Sequence, residues 1–278
     1  MGENSGIAWT DNTFNPWVGC TKVSPGCDHC YAEAWDKRYS DGAHWGPGAP
    51  RRRTSVQNWN KVWKWDREAA AAGKRTRVFC ASLADVFDNE VPQEWREDLW
   101  KLIAETPNLD WILVTKRVGN VERMAPDASV FGQPIGLFPS NVIILSTIVN
   151  QAEATRDLGK LVRLKRDGIV SKIGVSYEPA IGPVDWSPWI ADMDWLIPGG
   201  ESDQGGAKAR PFRMSWGLDA IWQAAGTGRS VFQKQMGSSP IDADGNPVTF
   251  CDRAGADPEE WPAGLRVRQF PVIGGGNG

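Results

Sequence analysis

The chain predicts an α/β protein, a full or partial (β/α) barrel with a small C-terminal extension, and three observations predict it. Short apolar, β-rich runs alternate with longer helix-like stretches, which is the pattern of βαβ units and a parallel sheet. Seven such strands are too many for a small open sheet, and right-handed crossovers curl them into a barrel. A polar group follows each strand, and in a parallel barrel all of those positions face one mouth.

In order along the chain, the first strand (13–17) runs into Cys20, and a helix (28–39) leaves the loop that follows. A helix at 59–72 precedes the strand 77–80, which leads to Ser82 and Asp85. A helix at 93–105 precedes the strand 111–115, which runs into Thr115-Lys116-Arg117. The strand 142–146 ends at Ser146 with Asn150 beyond it, and a helix follows at 151–165. The strand 172–176 enters Tyr177-Glu178-Pro179, and the strand 195–198 enters Gly199-Gly200-Glu201. A helix at 215–225 and a strand at 230–233 complete the series, with Lys234 after the last strand. Residues 1–236 are therefore assigned to the barrel and 237–278 to a loop-rich extension, because 237–262 is rich in Pro, Gly and Asp. The terminal 274–278 is expected to fray.

Composition narrows the function classes. A chain of 278 residues can bury roughly three quarters of its unfolded surface, enough for one large domain. A net charge of −3 argues against a protein that coats nucleic acid indiscriminately, because such binding rests on Lys and Arg contacts to phosphate. No stretch approaches the roughly 20 apolar residues of a membrane span, no secretory signal pattern opens the chain, and the expected location is the cytoplasm. There are 16 tryptophans, and Trp45, Trp59, Trp63 and Trp65 lie in polar surroundings. They suit either ordinary helix packing or stacking at a surface or ligand.

Three of the five cysteines crowd into the segment from Cys20 to Cys30, while Cys80 and Cys251 stand alone. A disulfide framework does not look like this, whereas metal binding or catalysis in a reducing compartment does. Thiolates ligate iron–sulfur clusters and structural zinc, and a Cys-x2-Cys pair entering a helix brings two sulfurs together near the helix dipole. Three thiolates on a cubane leave one iron free for an outside ligand. Cys20, Cys27 and Cys30 are the candidate ligands of such a [4Fe-4S] cluster. A Cys3His zinc site with His29 or His44 as fourth ligand is the competing reading, and these are the chain's 2 histidines.

The three-cysteine loop after the first strand, with Tyr31 beside its last cysteine, resembles the radical-SAM superfamily, although the usual Cys-x3-Cys-x2-Cys is stretched here to Cys-x6-Cys-x2-Cys. More closely, the chain resembles a phage-encoded radical-SAM-like family of unknown function, distantly similar to spore photoproduct lyase. The likeness is carried by Trp9-Thr10, Asn15-Pro16-Trp17, Val18-Gly19-Cys20-Thr21, Cys27-Asp28-His29-Cys30-Tyr31-Ala32 and Leu113-Val114-Thr115-Lys116-Arg117. It continues through Ser176-Tyr177-Glu178-Pro179, Gly199-Gly200-Glu201-Ser202, Ala209-Arg210-Pro211 and Phe232-Gln233-Lys234-Gln235.

The resemblance implies a radical-SAM type barrel in which the open iron takes S-adenosyl-L-methionine (SAM), and one-electron reduction releases a 5′-deoxyadenosyl radical. By position, Ser82, Asp85, Ser146 and Glu178 would contact the methionine and ribose, with Tyr31 lining the adenine side through its backbone. Each is also the kind of residue that caps a strand or turn. Lys116, Arg117 and Arg210 are candidate anion contacts to substrate, with Glu201 and Lys234 beside them. The alternative for the two arginines is an ion pair with Asp85 or Glu201. Gly199-Gly200 lacks a dinucleotide fingerprint, and is expected to let backbone approach a ligand.

The implied substrate is a nucleic-acid base or nucleoside, and the specific proposal is isomerisation of an amino-acid adduct on thymidine in phage DNA hypermodification. The clusters Arg51-Arg52-Arg53, Lys74-Arg75-Thr76-Arg77 and Arg163, Lys165 and Arg166 suit either a phosphate backbone or plain solvated faces. One competing function is a thymine-lesion repair lyase with Cys80 or Cys251 as hydrogen donor. The other is a non-enzymatic zinc-bearing DNA-binding module. An electron donor such as flavodoxin or ferredoxin is implied, and the setting would be host cytoplasm.

Overall fold

The structure is a computed structural model that describes residues 3, 5–126, 137–204 and 206–274. Its centre is a seven-stranded parallel sheet in the order β1-β4-β5-β6-β7-β8-β10. These strands are β1 (Asn12–Thr13), β4 (Thr76–Cys80), β5 (Leu109–Thr115), β6 (Val142–Thr147), β7 (Lys172–Tyr177), β8 (Trp195–Pro198) and β10 (Ser230–Val231). The spatial order follows the chain, and β1 and β10 remain opposite edges, so the barrel is partial. Short pairs flank it: β2 (Trp17–Val18) runs antiparallel to β3 (Arg52–Arg53), and β9 (Phe212–Arg213) parallel to β11 (Pro240–Ile241).

The described helices are α1 (Tyr31–Ser40), α2 (Val56–Ala72), α3 (Gln93–Ala104), α4 (Gln151–Arg166) and α5 (Met214–Ala224). Helix α2 starts three residues before the expected position because the Ser55 hydroxyl caps it, accepting from the Asn58 N–H, and Gly73 ends it in a left-handed turn. Strand alternation then divides the apolar residues between two layers. Leu109, Trp111 and Leu113 of β5 face the helices, as do Val142 and Ile144 of β6. Ile112, Ile143, Leu145, Trp195 and Ile197 face inward, where Trp9, Phe79 and Phe232 complete a second core.

The first strand is shorter than expected. Pro16 has no N–H to give a ladder, and the Asn15 side chain bonds instead to Ser82 and to the Leu83 N–H at 2.7 Å. The chain therefore leaves the sheet after Phe14 and turns outward as β2, delivering Cys20 to the mouth. The opposite edge is covered by the extension: Gln233 donates to the Val267 carbonyl and Gln269 to the Val231 carbonyl, both at 2.8 Å. This satisfies an edge that would otherwise pair with another chain. Ile273 joins the inner core, and the Gly274 N–H reaches Asp110 at 2.9 Å. Of the tail expected to fray, Gly274 is thus held, and the remainder lies outside the described residues.

Of the four tryptophans singled out, Trp45 lines a cavity and the other three pack. Trp65 is buried, and Trp59 and Trp63 pack against the main core. Arg51 is buried, Arg53 pairs with Asp98 and lies over Trp59, and Arg75 and Arg77 pair with Asp110 and Asp11. Arg163, Lys165 and Arg166 pair with Glu122, Asp194 and Asp192. The pairs named are intramolecular, and Arg51 is buried rather than on a solvated face.

Candidate active site

A cavity of about 430 Å³ opens at the carboxyl ends of the strands. Cys20, Cys27 and Cys30 all line it, and all three are free thiols. Gly19 makes the loop possible: its φ is 120°, and a Cβ there would stand 2.5 Å from the His44 carbonyl oxygen. A short 3-10 turn (Pro25–Cys27), capped by Ser24, turns the chain back. Cys30 then occupies the N-cap of α1.

Burial pushes the Cys20 thiol up to about 12, helped by Asp85 and opposed by Arg117. Burial also raises Cys30, against the pull of the Glu33 N–H, the Lys116 charge and the Ala32 N–H. Desolvation thus disfavours the bare thiolates, and a cationic centre in the cavity would reverse that preference.

Arg117 stands directly behind Cys20. Its Nη1 donates to the Cys20 sulfur at 3.4 Å and to Asp85 at 3.0 Å, while Nη2 donates to the Thr21 carbonyl at 2.7 Å. Burial alone would lower the guanidinium, yet Asp85, Cys20 and Asp88 hold its pKa above the ordinary range. Arg117, expected as a substrate contact, lines the cavity with its fork bonded to the loop and to Asp85, the ion pair that was its alternative reading. Asp85, expected as a SAM contact, also lines the cavity. Its two oxygens accept from the Phe87 N–H, the Thr115 hydroxyl, the Lys116 N–H and Arg117, which spends the carboxylate on positioning this corner.

A second network lies beneath the same corner. Arg51, whose side chain is 0% exposed, pairs with Asp88 at 2.8 Å and with Glu90, and donates to the Thr21 hydroxyl at 2.8 Å. Sequence reading missed it because Arg51, Arg52 and Arg53 look alike until burial separates them.

The far end of the loop is gripped differently. Glu201 accepts from His29 Nδ1 at 2.9 Å and from Arg210 at three nitrogens, and Arg210 also donates to the Pro25 carbonyl at 2.9 Å. Burial pushes the Glu201 carboxyl up, but the Arg210 and His29 bonds outweigh it and hold its pKa below the usual range. Glu201 and Arg210, expected as substrate contacts, thus clamp the cysteine loop as an ion pair, and Glu201 also lines the cavity. Of the Gly-Gly before Glu201, Gly200 lines the cavity, and both glycines are also packed closely against protein. A Cβ on Gly200 would collide with the Met236 carbonyl, and one on Gly199 would stand 2.7 Å from Glu178.

Ser82, Tyr31, Glu178, Lys116 and Lys234 line the cavity, and Lys234 pairs with Glu178 at 2.8 Å. Tyr31 is 43% exposed at the rim, while desolvation around its hydroxyl raises the phenol, against a hydrogen bond with Ser82. Ser146 does not line the cavity. It shares parity with Val142 and Ile144 on the helix side, whereas Thr147, one residue on, lines the cavity. Thr147 is 3% exposed, and its hydroxyl makes no hydrogen bond among the described residues. Counting alternation inward from Ile143 and Leu145 would have found it. Ser176 was missed in the same way. The Lys116 ammonium has no carboxylate partner among the described residues. Neither Cys80, buried on the helix side of β4, nor Cys251, exposed in the extension, reaches the cavity.

Among the described residues, no three His, Cys, Asp or Glu side chains converge closely enough to hold a single ion. A cubane assigns one thiolate to each iron, so its ligands stand further apart, and three cysteines around one cavity suit that donor pattern. His29 and His44 each give Nδ1 to a carboxylate, Glu201 and Asp36.

The fold and site define a class: a partial parallel α/β barrel with a three-cysteine loop on a carboxyl-end cavity. The model of the family described as "Protein of unknown function (DUF5131)" matches residues 4–256, and the chain belongs to that family. No curated protein matches it. Among solved structures it is similar to a spore photoproduct lyase mutant with dinucleoside spore photoproduct, at 16% identity and a TM-score of 0.45. That match covers 71% of this chain and 58% of the other. A second spore photoproduct lyase mutant, with bound AdoMet and the same dinucleoside, matches at 14% identity and a TM-score of 0.44, covering 74% and 59%. The chain thus spans less than three fifths of those proteins, and likeness at this level says nothing of substrate. No described helix is long and apolar enough to cross a membrane.

Proposed function

We propose that this chain is a radical-SAM enzyme whose Cys20, Cys27 and Cys30 hold a [4Fe-4S] cluster with one open iron. The observation that carries the reading is three free thiols on one cavity at the mouth of a parallel barrel, with no fourth cysteine beside them. When bound, such a cluster supplies the electron that cleaves SAM to methionine and a 5′-deoxyadenosyl radical. The protein's own part is to bind, orient and exclude water. Lys116 would pair with an anionic group, SAM carboxylate or substrate phosphate, because its charge is otherwise unmatched. Thr147, Ser176 and Ser82 would bond the polar groups of the adenosyl moiety. Glu178 and Lys234 would fix one another and offer one acceptor and one donor edge.

The substrate would be a nucleoside-type base in DNA, and the reaction an isomerisation, in line with the rearranged amino-acid adduct on thymidine in phage DNA. The placement of the cysteines favours this over a repair lyase. A lyase of the thiol-donor type needs a further sulfur at the cavity, and Cys80 and Cys251 lie away from it. In a rearrangement the product radical can take its hydrogen back from 5′-deoxyadenosine, which regenerates the 5′-deoxyadenosyl radical, so that no thiol is needed as the donor. Flavodoxin or ferredoxin would supply the electron.

The test is anaerobic reconstitution with iron and sulfide, followed by dithionite and SAM. The expected result is 5′-deoxyadenosine formation by the wild type and its loss in Cys27→Ala. A colourless protein holding one zinc, with no SAM cleavage, would establish the zinc-bearing module instead.

A further inference from the structure

We infer that Arg117 is a positioning residue for the iron–sulfur centre, one that donates a charged hydrogen bond to the Cys20 sulfur and thereby sets the cluster's reduction potential. The inference rests on the proposal that the three cysteines hold a cluster. Its basis is geometric. Nη1 of Arg117 lies 3.4 Å from Cys20 Sγ, within the longer range of hydrogen bonds to sulfur, and the side chain is only 8% exposed. Its plane is fixed from behind by the Asp85 carboxylate at 3.0 Å and the Thr21 carbonyl at 2.7 Å, with Asp88 at 3.8 Å. Arg117 therefore cannot swing toward a substrate without abandoning three partners.

Reduction adds one negative charge to a cluster, and a buried cation beside a ligand sulfur stabilises the charge-rich state more than the oxidised one. Hydrogen bonds to the sulfurs and the local charge are among the protein's main levers on such potentials. Asp85 and Asp88 work in the opposite direction, but Asp85 also holds the guanidinium so that a donor reaches the sulfur. No other side chain among the described residues donates to a cysteine sulfur of the loop. The three ligands are thus unequal, because among the described residues Cys20 alone receives a charged side-chain hydrogen bond. The Cys27 and Cys30 side receives only the Lys116 charge and the start of α1.

The test is a redox titration of reconstituted wild type, Arg117→Lys and Arg117→Met, followed by electron paramagnetic resonance of the reduced cluster. Arg117→Met is expected to lower the midpoint, so that at the wild-type midpoint the ratio of reduced to oxidised cluster falls about tenfold, a shift of about 59 mV for one electron. Arg117→Lys is expected to fall between the two, because it keeps the charge and loses the fork. Double-resonance spectra in deuterated buffer should show an exchangeable proton coupled to the wild-type cluster and lost in both variants. If Arg117→Met takes up no iron, Arg117→Lys alone decides. A wild-type cluster that responds to SAM, with midpoint and proton coupling unchanged in the variants, overturns this inference and leaves the proposed function standing. A wild type that takes up no cluster overturns both.

Discussion

Cys20 and the Cys27–Cys30 pair border the same cavity but are anchored by different physics. The Cys20 end rests on buried charge: Arg51 and Arg117 lie among Asp85, Asp88 and Glu90, and the arginine side chains are no more than 8% exposed. The far end is held chiefly by Glu201, which gathers His29 and Arg210 at the rim, where their side chains are 27% and 23% exposed, with Asp28 a further partner of Arg210 at 3.5 Å. Buried pairs give sharp geometry and are costly to break, whereas rim pairs are weaker and respond to solvent. One end of the loop is therefore a fixed post and the other an adjustable clasp.

The largest effect that would sharpen this contrast is at Arg51. Arg51→Met leaves buried Asp88 with only the more distant Arg117 at 3.8 Å and is expected to cost about 3–5 kcal/mol, read by denaturant unfolding. Loss of under about 1 kcal/mol would break the contrast. Arg210→Ala, at the clasp, is expected to cost about 1–3 kcal/mol and to lower iron uptake in reconstitution. A cost equal to that of Arg51→Met would make the two ends alike.

Acid should find the clasp through Glu201. Its folded pKa lies below the ordinary 4.5, so its contribution is fully present above that value and is lost as pH falls through the folded pKa. The stability difference between wild type and Glu201→Gln should therefore be constant near neutrality and shrink as pH drops below about 4.5. A difference that does not vary with pH would remove Glu201 from that role. The smallest effect belongs to a cysteine outside the site: Cys251→Ser, exposed in the extension, should leave SAM cleavage unchanged in rate.

The legible parts of the molecule were those set by local pattern. Alternating apolar runs located the six longer-range strands from β4 to β10, and the crowded cysteines located the site. Parity at a strand end was less secure. Extending β6 by one residue moves the cavity hydroxyl from Ser146 to Thr147, because successive side chains face opposite sides of the sheet. Partner choice was least legible. Arg117 and Arg210 carry the charge of anion contacts, but only the folded chain shows Asp85 and Glu201 already occupying them. Arg51 is hidden within three consecutive arginines for the same reason, since burial is a tertiary property.

The most direct measurement is the electron paramagnetic resonance spectrum of the anaerobically reconstituted, dithionite-reduced protein with and without SAM. The proposed site predicts a four-iron signal whose g-values move when SAM is added, because an iron without a protein ligand accepts the amino and carboxylate groups. A cluster signal indifferent to SAM would mean that a fourth side chain fills that position, and would contradict the account.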